Sequence, residues 1–190
     1  MRKRIADLVF VLDESGSMRL FWGAVISKVK EILQSEKNAD KNEKVLVTIS
    51  TFNQNNTVRC FRKPIGKIQD LTRSNYTPNG KTALYDAIIN TIFLVEKEQE
   101  KMPPEDLKNS RTLFVVITDG GDDASEEFPD DGFVREMIKD KKNSGWKFLF
   151  IGWDFDEKER PNEFLPTWAK VYLKNKRKGI EPPFEDVIIR

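Results

Sequence analysis

Five oxygen-bearing side chains occur in this sequence at spacings that suit a cation site. Asp13, Ser15 and Ser17 alternate along one short segment, so that three side chains can point inward from a single turn. Thr82 and Asp119 supply a further hydroxyl and a further carboxylate later in the chain. A hard cation such as Mg²⁺ prefers about six oxygen ligands, several of them from water. These residue types therefore indicate a magnesium site.

Apolar runs place the two aspartates at the ends of predicted strands. The first run, Leu8–Leu12, ends at Asp13. The second run, Leu113–Ile117, leads into Asp119, and Lys147–Ile151 is predicted to be a third buried strand. Unbroken apolar runs of this length are typical of strands buried on both faces of a parallel sheet. The loops at the carboxyl ends of such strands converge where open α/β sheets bind ligands.

The other periodic segments predict helices and one hairpin. Helical spacing of apolar residues begins at Phe21, at Thr82 and again at Phe133. Two further strands, Val45–Phe52 and Thr57–Phe61, are joined by a short turn-rich link, which predicts an antiparallel hairpin. The expected fold class is α/β, with a doubly wound, mostly parallel open sheet, helices on both faces and one antiparallel edge strand.

Polar stretches separate these elements. Pro64–Gly80 is predicted to be a loop with one short helix, and Glu96–Ser110 is predicted to be a charged loop. The stretch 154–190 is rich in proline and charge, and it offers one candidate helix at Leu165–Tyr172. At 190 residues the whole chain, 1–190, fits a single domain with one core.

Composition excludes several classes of function. Lys and Arg total 32 against 31 for Asp and Glu, so no net field favours nucleic acid or an anionic membrane. The most apolar stretch, Ala87–Val95, is too short to cross a bilayer. The absence of histidine excludes His-based hydrolases and the usual zinc enzymes. A single cysteine, Cys60, excludes an internal disulfide, and the N-terminal segment lacks signal-peptide character, so we expect a cytoplasmic protein.

Each motif also has a purely structural interpretation. A serine or threonine near a helix start can cap that helix, and a carboxylate at a strand end is common in α/β folds. However, the carboxylates of Asp13 and Asp119 at one sheet edge would repel and raise each other's pKa unless a cation lay between them. The combination therefore favours a metal site over a structural role alone.

Two classes of enzyme share parts of this pattern. Gly80-Lys81-Thr82 resembles the end of a nucleotide-binding P-loop, but Pro78 interrupts the backbone N–H cradle and no apolar strand precedes it. A phosphotransfer enzyme of the haloacid dehalogenase type would carry a second aspartate where Ser15 stands. We interpret the protein as a binding module and not an enzyme, with these two enzyme classes as the alternative.

The order and spacing of the five residues resemble the metal-ion-dependent adhesion site of the von Willebrand factor A domain family. The family pattern is Asp-x-Ser-x-Ser after the first strand, a later Thr, and an Asp after the fourth strand. The resemblance covers roughly Asp7–Trp153, and within the family it is to small stand-alone bacterial and phage members. It implies a Rossmann-like fold and a module for protein–protein interaction.

The resemblance also implies a set of ligands. Mg²⁺ or Mn²⁺ would be held by Ser15, Ser17 and Thr82, with Asp13 and Asp119 bound directly or through water. One position would be left for an Asp or Glu carboxylate of a partner protein. A site that has become purely structural is the remaining alternative.

Acidic residues surround the predicted site. They lie in the nearest loops and are Glu14, Asp122, Asp123, Glu126, Glu127, Asp130 and Asp131. A solvated loop is the simplest interpretation. If this acidic rim contributes to recognition, it favours a partner that presents a single carboxylate among Lys and Arg.

Overall fold

One mixed sheet organises the molecule around its first strand. The computed structural model describes residues 3–40, 42–152 and the backbone of 187–189. The strands are β1 Arg4–Asp13, β2 Glu43–Phe52, β3 Asn56–Pro64, β4 Arg111–Ile117, β5 Lys147–Gly152 and β6 Val187–Ile189. Their order across the sheet is β3-β2-β1-β4-β5-β6, and every neighbouring pair is parallel except β2 and β3. The predicted fold class is confirmed.

Helices cover both faces of this sheet. Within the described residues they are α1 Trp22–Ala39, α2 Leu84–Gln99, α3 Pro104–Lys108 and α4 Asp131–Asn143, with short 3-10 helices at Gly16–Leu20 and Ile65–Lys67. Alternate residues of β1 point to opposite faces. Val9 and Val11 pack with α2 and α4, whereas Leu8 and Phe10 pack with α1. Burial on both faces explains the unbroken apolar run of β1.

The predicted hairpin is also confirmed, because β2 and β3 pair antiparallel from Phe52 opposite Asn56. The 3-10 helix that follows β3 fits the expected loop with one short helix. β3 forms the edge of the sheet and is largely exposed. The antiparallel strand thus lies at the margin, while β1 and β4 form the buried centre.

Two predicted boundaries are wrong. The helix expected from Thr82 begins instead at Leu84, and the loop expected at Glu96–Ser110 contains the last turn of α2 and all of α3. The last turn of α2 is held because the Gln99 amide is buried and its Nε2 donates to Asp7 Oδ2 at 2.9 Å. A proline in the first turn of α3 is compatible with a helix, because its missing N–H has no partner there.

The C-terminal stretch is described only at β6, whose backbone pairs parallel with β5. The candidate helix at Leu165–Tyr172 lies outside the described residues. In the part of the chain that the structure describes, no helix has both the length and the apolar character needed to span a bilayer.

Candidate metal centre

The two aspartates meet at the carboxyl edge of the two central strands. Asp13 is the last residue of β1, and Asp119 follows shortly after the end of β4. These strands are parallel neighbours, with Leu12 opposite Ile117. Parallel pairing therefore brings the loops after both strands to the same side of the sheet, as expected from the sequence.

A chain of hydrogen bonds joins the predicted hydroxyl groups to these carboxylates. Ser15 Oγ lies 3.1 Å from Ser17 Oγ, and Ser17 Oγ donates to Asp119 Oδ1 at 3.0 Å. The backbone N–H of Ser15 donates to Asp13 Oδ1 at 2.8 Å. Asp13, Ser15 and Asp119 are all buried. The structure thus brings four of the five predicted residues into one connected cluster.

Thr82 reaches this edge through its backbone. Its N–H donates to Asp123 Oδ1 at 2.7 Å, and its carbonyl accepts from the Asp123 N–H at 2.9 Å. The neighbouring Gly80 carbonyl accepts from the Gly16 N–H at 3.0 Å, which joins the Thr82 loop to the serine loop. Among the described residues, the Thr82 hydroxyl is outside the hydrogen-bonded chain that links the other four.

Burial has the largest effect on the pKa of Asp13. Loss of hydration raises the pKa of Asp13 to about 6, against the lowering effect of hydrogen bonds from Thr118 and Ser15. The charge of Asp119 also raises this pKa but is the smallest of the causes. The direction expected from the sequence is correct, but its principal cause is desolvation and not mutual repulsion. A cation at this edge would stabilise the charged form of Asp13.

Sequence reasoning missed two residues that hold Asp13 in place. The Thr118 hydroxyl donates to Asp13 Oδ2 at 2.6 Å, and the buried Tyr76 hydroxyl donates to the Asp13 carbonyl. Burial raises the pKa of Tyr76, so this hydroxyl stays protonated as a donor. Tyr76 is the one aromatic residue in the polar stretch Pro64–Gly80, and that is the signal by which it could have been found.

Glu14 does not belong to a solvated rim. It is 5% exposed, and its carboxylate accepts from Arg59 Nη2 at 2.8 Å and from the Thr77 N–H at 2.6 Å. Burial alone would raise its pKa, but the hydrogen bonds from Thr77 and Arg59 keep the pKa of Glu14 below its usual value. The prediction of a fully solvated acidic rim is therefore wrong at this residue.

Other acidic residues join the loop after β4 to the start of α2. Asp122 Oδ1 accepts from the Tyr85 N–H at 3.1 Å. Asp86 accepts from the N–H groups of Glu126 at 3.0 Å and Phe128 at 2.7 Å. Helix N-termini leave backbone N–H groups without helical partners, and Asp122 satisfies one of them. These carboxylates therefore have a positioning role beside the candidate site.

Gly80 fixes the approach of the Thr82 loop to the serine loop. Its φ is 79°, and a Cβ there would lie 2.0 Å from Gln54 Oε1. We expect Gly80→Ala to lower the free energy of unfolding by about 1–2 kcal/mol, because the left-handed conformation is costly for alanine. Denaturant unfolding measures this, with Gly66→Ala as the control, since a Cβ at Gly66 meets nothing within 4 Å. Equal losses in the two variants would contradict this role of Gly80.

The donor set fits a hard divalent cation. The residues that bear these three hydroxyls and two carboxylates lie on loops at one edge of the sheet, and none of them offers a sulfur or an imidazole. Within the described residues, no group of three or more Cys, Asp or Glu side chains is placed to hold a metal. Any cation at this edge would therefore depend on the serine and threonine hydroxyls as well as on the two aspartates.

Comparison with solved structures finds the same fold in a mussel protein. Proximal thread matrix protein 1 from the mussel byssus matches with a TM-score of 0.63 at 16% identity, covering 99% of this chain and 42% of that chain. Its second crystal form gives 0.52 at 15% identity, covering 82% and 38%. A third structure, with a zinc-occupied MIDAS motif, gives 0.52 at 17% identity, covering 80% and 37%. This chain thus spans about two fifths of the length of those chains.

No curated protein sequence matches the chain. The family model for the von Willebrand factor type A domain matches residues 7–170, which is most of its length. That match agrees with the central β1 and β4 strands and with helices on both faces of the sheet. The chain belongs to the von Willebrand factor type A domain family.

Proposed function

We propose that this protein is a divalent-metal-dependent protein-interaction module that captures a partner's carboxylate. Ser15, Ser17 and Thr82 would hold Mg²⁺ or Mn²⁺ together with Asp13 and Asp119. The observation that carries this proposal is the hydrogen-bonded cluster of Asp13, Ser15, Ser17 and Asp119 at the carboxyl edge of β1 and β4. Membership of the family supports it, as does the zinc-occupied MIDAS motif in a structure of similar fold.

The residues of the site have different parts in this function. When bound, the cation supplies a Lewis-acidic centre that attracts an anionic oxygen. The serine and threonine hydroxyls offer neutral oxygens, so they leave much of the cation's charge available to a partner. Asp13 is oriented by donors on both of its oxygens, Ser15 N–H and Thr118 Oγ. Orientation of ligands by neighbouring hydrogen bonds increases metal affinity.

The nucleotide-hydrolase alternative fits the structure less well. A P-loop connects a strand directly to a helix. Here β3 ends at Pro64, and Gly80 is preceded by an irregular segment that includes the buried Tyr76. Turnover of ATP by the parent protein in Mg²⁺ would nevertheless favour that alternative over the binding module.

The same proposal includes a single domain, 1–190, and a cytoplasmic location. The support for the location is that the sequence has one cysteine, Cys60, and so uses no internal disulfide, as is usual for proteins of a reducing compartment. Limited proteolysis of the full chain tests the first point, since one protected fragment is expected from one domain.

Two substitutions separate the roles of the hydroxyls and the carboxylates. Thr82→Ala removes one neutral oxygen, and we expect Mg²⁺ affinity to fall several-fold while the fold survives. Asp119→Ala removes half of the formal negative charge of the site, so we expect a loss of tenfold or more, at least as large as the roughly 10–100-fold cost of removing a residue that only orients a metal ligand. Calorimetric titration with Mg²⁺ measures both losses, and circular dichroism verifies folding.

Capture of a carboxylate is tested with the same variants. A surface that displays an Asp-containing peptide is expected to bind the parent in Mg²⁺ and to release it in EDTA, and both variants are expected to bind less. A peptide with Asn in place of Asp is the matched control. Equal binding of the Asp and Asn peptides, or equal binding by folded parent and variants, would contradict carboxylate capture.

A further inference from the structure

We infer that the partner segment is acidic and partly apolar, with a second carboxylate attracted by Arg19 and Lys81 and an aliphatic side chain packed on Leu20. This inference rests on the proposed function, because the first carboxylate is the one directed at the metal. It differs from the expectation of a single carboxylate among Lys and Arg, which counted Glu14 as part of a solvated acidic rim.

The carboxylates nearest the serine and Thr82 loops are bonded to the protein itself. Glu14 is buried against Arg59 and Thr77, and Asp123 accepts from the Thr82 N–H. The exposed acids Glu126 and Glu127 lie further along the loop after β4, where their N–H groups bond to Asp86 in the first turn of α2. The charge of Glu14 is thus paired with Arg59, whereas the exposed carboxylates of Asp123, Glu126 and Glu127 keep their charge on the loop after β4.

Two exposed cations lie on the loops that carry the proposed ligands, toward the turn between β2 and β3. Arg19 follows Ser17 in the 3-10 helix, and its Nε donates to the Pro78 carbonyl at 3.0 Å. Lys81 precedes Thr82, and its backbone N–H donates to Gln54 Oε1 at 3.0 Å. Neither side chain forms an ion pair with another described residue. Both charges are thus available to an incoming anion.

This separation of charge sets the orientation of a bound segment. A second carboxylate is attracted toward Arg19 and Lys81 and repelled from Glu126 and Glu127. Basic residues of the partner, where present, would lie on the opposite side of the metal-directed carboxylate.

Leu20 adds an exposed apolar side chain next to Arg19 in the 3-10 helix. Its side chain is 73% exposed, which is the highest value among the large apolar residues that the structure describes. A single exposed leucine is common on protein surfaces, but this one ends the 3-10 helix that begins at Gly16, inside the serine loop. Met18, in the same helix, is fully buried and anchors the turn. Burial of Leu20 by an aliphatic side chain would contribute hydrophobic stabilisation to the complex.

Defined peptides of equal length test this inference in Mg²⁺ and in EDTA. The first peptide carries a single Asp among Gly and Ser, the second adds a Glu, and the third adds both a Glu and a Leu. The fourth is the second peptide with Lys in place of its Glu. We expect affinity to rise from the first to the third and to be lowest for the fourth. Each added ion pair is expected to contribute about threefold, as for exposed pairs. The gain from Glu should shrink in 0.5 M NaCl, because salt screens exposed charges.

Variants assign these gains to particular residues. Arg19→Gln/Lys81→Gln should abolish the gain from Glu, and Leu20→Ala should abolish the gain from Leu. The matched controls, Lys44→Gln and Leu107→Ala, change exposed residues at the opposite end of the sheet, on β2 and α3, and should keep both gains. Mg²⁺ affinity of the Gln variant, measured without peptide, should stay the same or rise, since two cations near the site are removed.

The outcomes separate this inference from the function beneath it. Metal-dependent capture with equal affinity for all four peptides, or with a preference for Lys over Glu, would overturn the inference alone. So would gains that persist in the Gln and Ala variants. Absence of Mg²⁺ binding, or capture that is insensitive to EDTA, would overturn both the inference and the proposed function.

Discussion

Asp7→Ala is expected to lower the free energy of unfolding by about 3–5 kcal/mol, the cost of removing one partner from a buried ion pair. Asp7 is 2% exposed on β1, and it accepts from Arg62 Nε at 2.9 Å and from Arg62 Nη2 at 3.2 Å. Gln99 Nε2 donates to the same carboxylate. The substitution would leave a largely buried guanidinium without its anion and would loosen the edge strand β3 and the end of α2.

Denaturant unfolding with two control variants tests this expectation. Arg4→Ala removes a pair with Asp40 in which both side chains are partly solvated, so a much smaller change is expected. The double variant Asp7→Ala/Arg62→Met should lose less free energy of unfolding than the losses of Asp7→Ala and Arg62→Met added together, because no unpaired charge remains in the double variant. A loss in Asp7→Ala no larger than that in Arg4→Ala would show that the buried pair does not hold β3 and α2 to β1.

The second large effect is a pH dependence of stability in EDTA. Because burial raises the pKa of Asp13 from 3.8 to about 6, the folded apo protein binds a proton at this group more tightly than the unfolded chain does. The stability that Asp13 contributes is fully present below the unfolded pKa and is lost as the pH rises through about 6. A shift of this size corresponds to about 3 kcal/mol.

Asp13→Asn isolates this contribution, because asparagine does not titrate while other carboxylates continue to do so. Glu14 works in the opposite direction, since its lowered pKa favours the folded state at higher pH. In EDTA we expect the parent to lose stability relative to Asp13→Asn between about pH 4 and 7, and in Mg²⁺ we expect the parent to recover that loss at pH 7. Parallel pH profiles of parent and variant in EDTA would contradict the assignment.

The centre of the fold could be predicted because its signal is local. β1, β4 and β5 are apolar on both faces, so their sequences alone indicate buried parallel strands. Because parallel strands end at the same edge of the sheet, the residues that follow β1 and β4 meet there, and Asp13 and Asp119 could be predicted to lie at one edge. Ends of helices were less predictable. Gln99 extends α2 through a hydrogen bond to Asp7, a residue distant in the sequence.

Side-chain roles around the site depended on contacts that no local pattern encodes. Glu14 is next to Asp13 in the sequence, yet it turns to Arg59 on the edge strand β3. Arg62 reaches Asp7 from a backbone with φ 42° beside an irregularity in the pairing of β2 with β3. A positive φ at a non-glycine residue is uncommon and cannot be read from a strand-like sequence.

The serine hydroxyls distinguish a specific metal site from general attraction of cations to acidic loops. Ser15→Ala/Ser17→Ala removes two oxygens and leaves every charge of the protein unchanged, so attraction by the acidic loops alone would persist in this variant. Circular dichroism would verify that the variant is folded.

The central claim is therefore tested most directly by calorimetric titration of Mg²⁺ into the parent protein and into this double variant. We predict saturable binding of one Mg²⁺ by the parent and at least a tenfold loss of affinity in the variant, because even removal of a residue that only orients a metal ligand costs roughly 10–100-fold. The same binding isotherm for both proteins, or no saturable binding by the parent, would contradict a metal centre at this edge of the sheet.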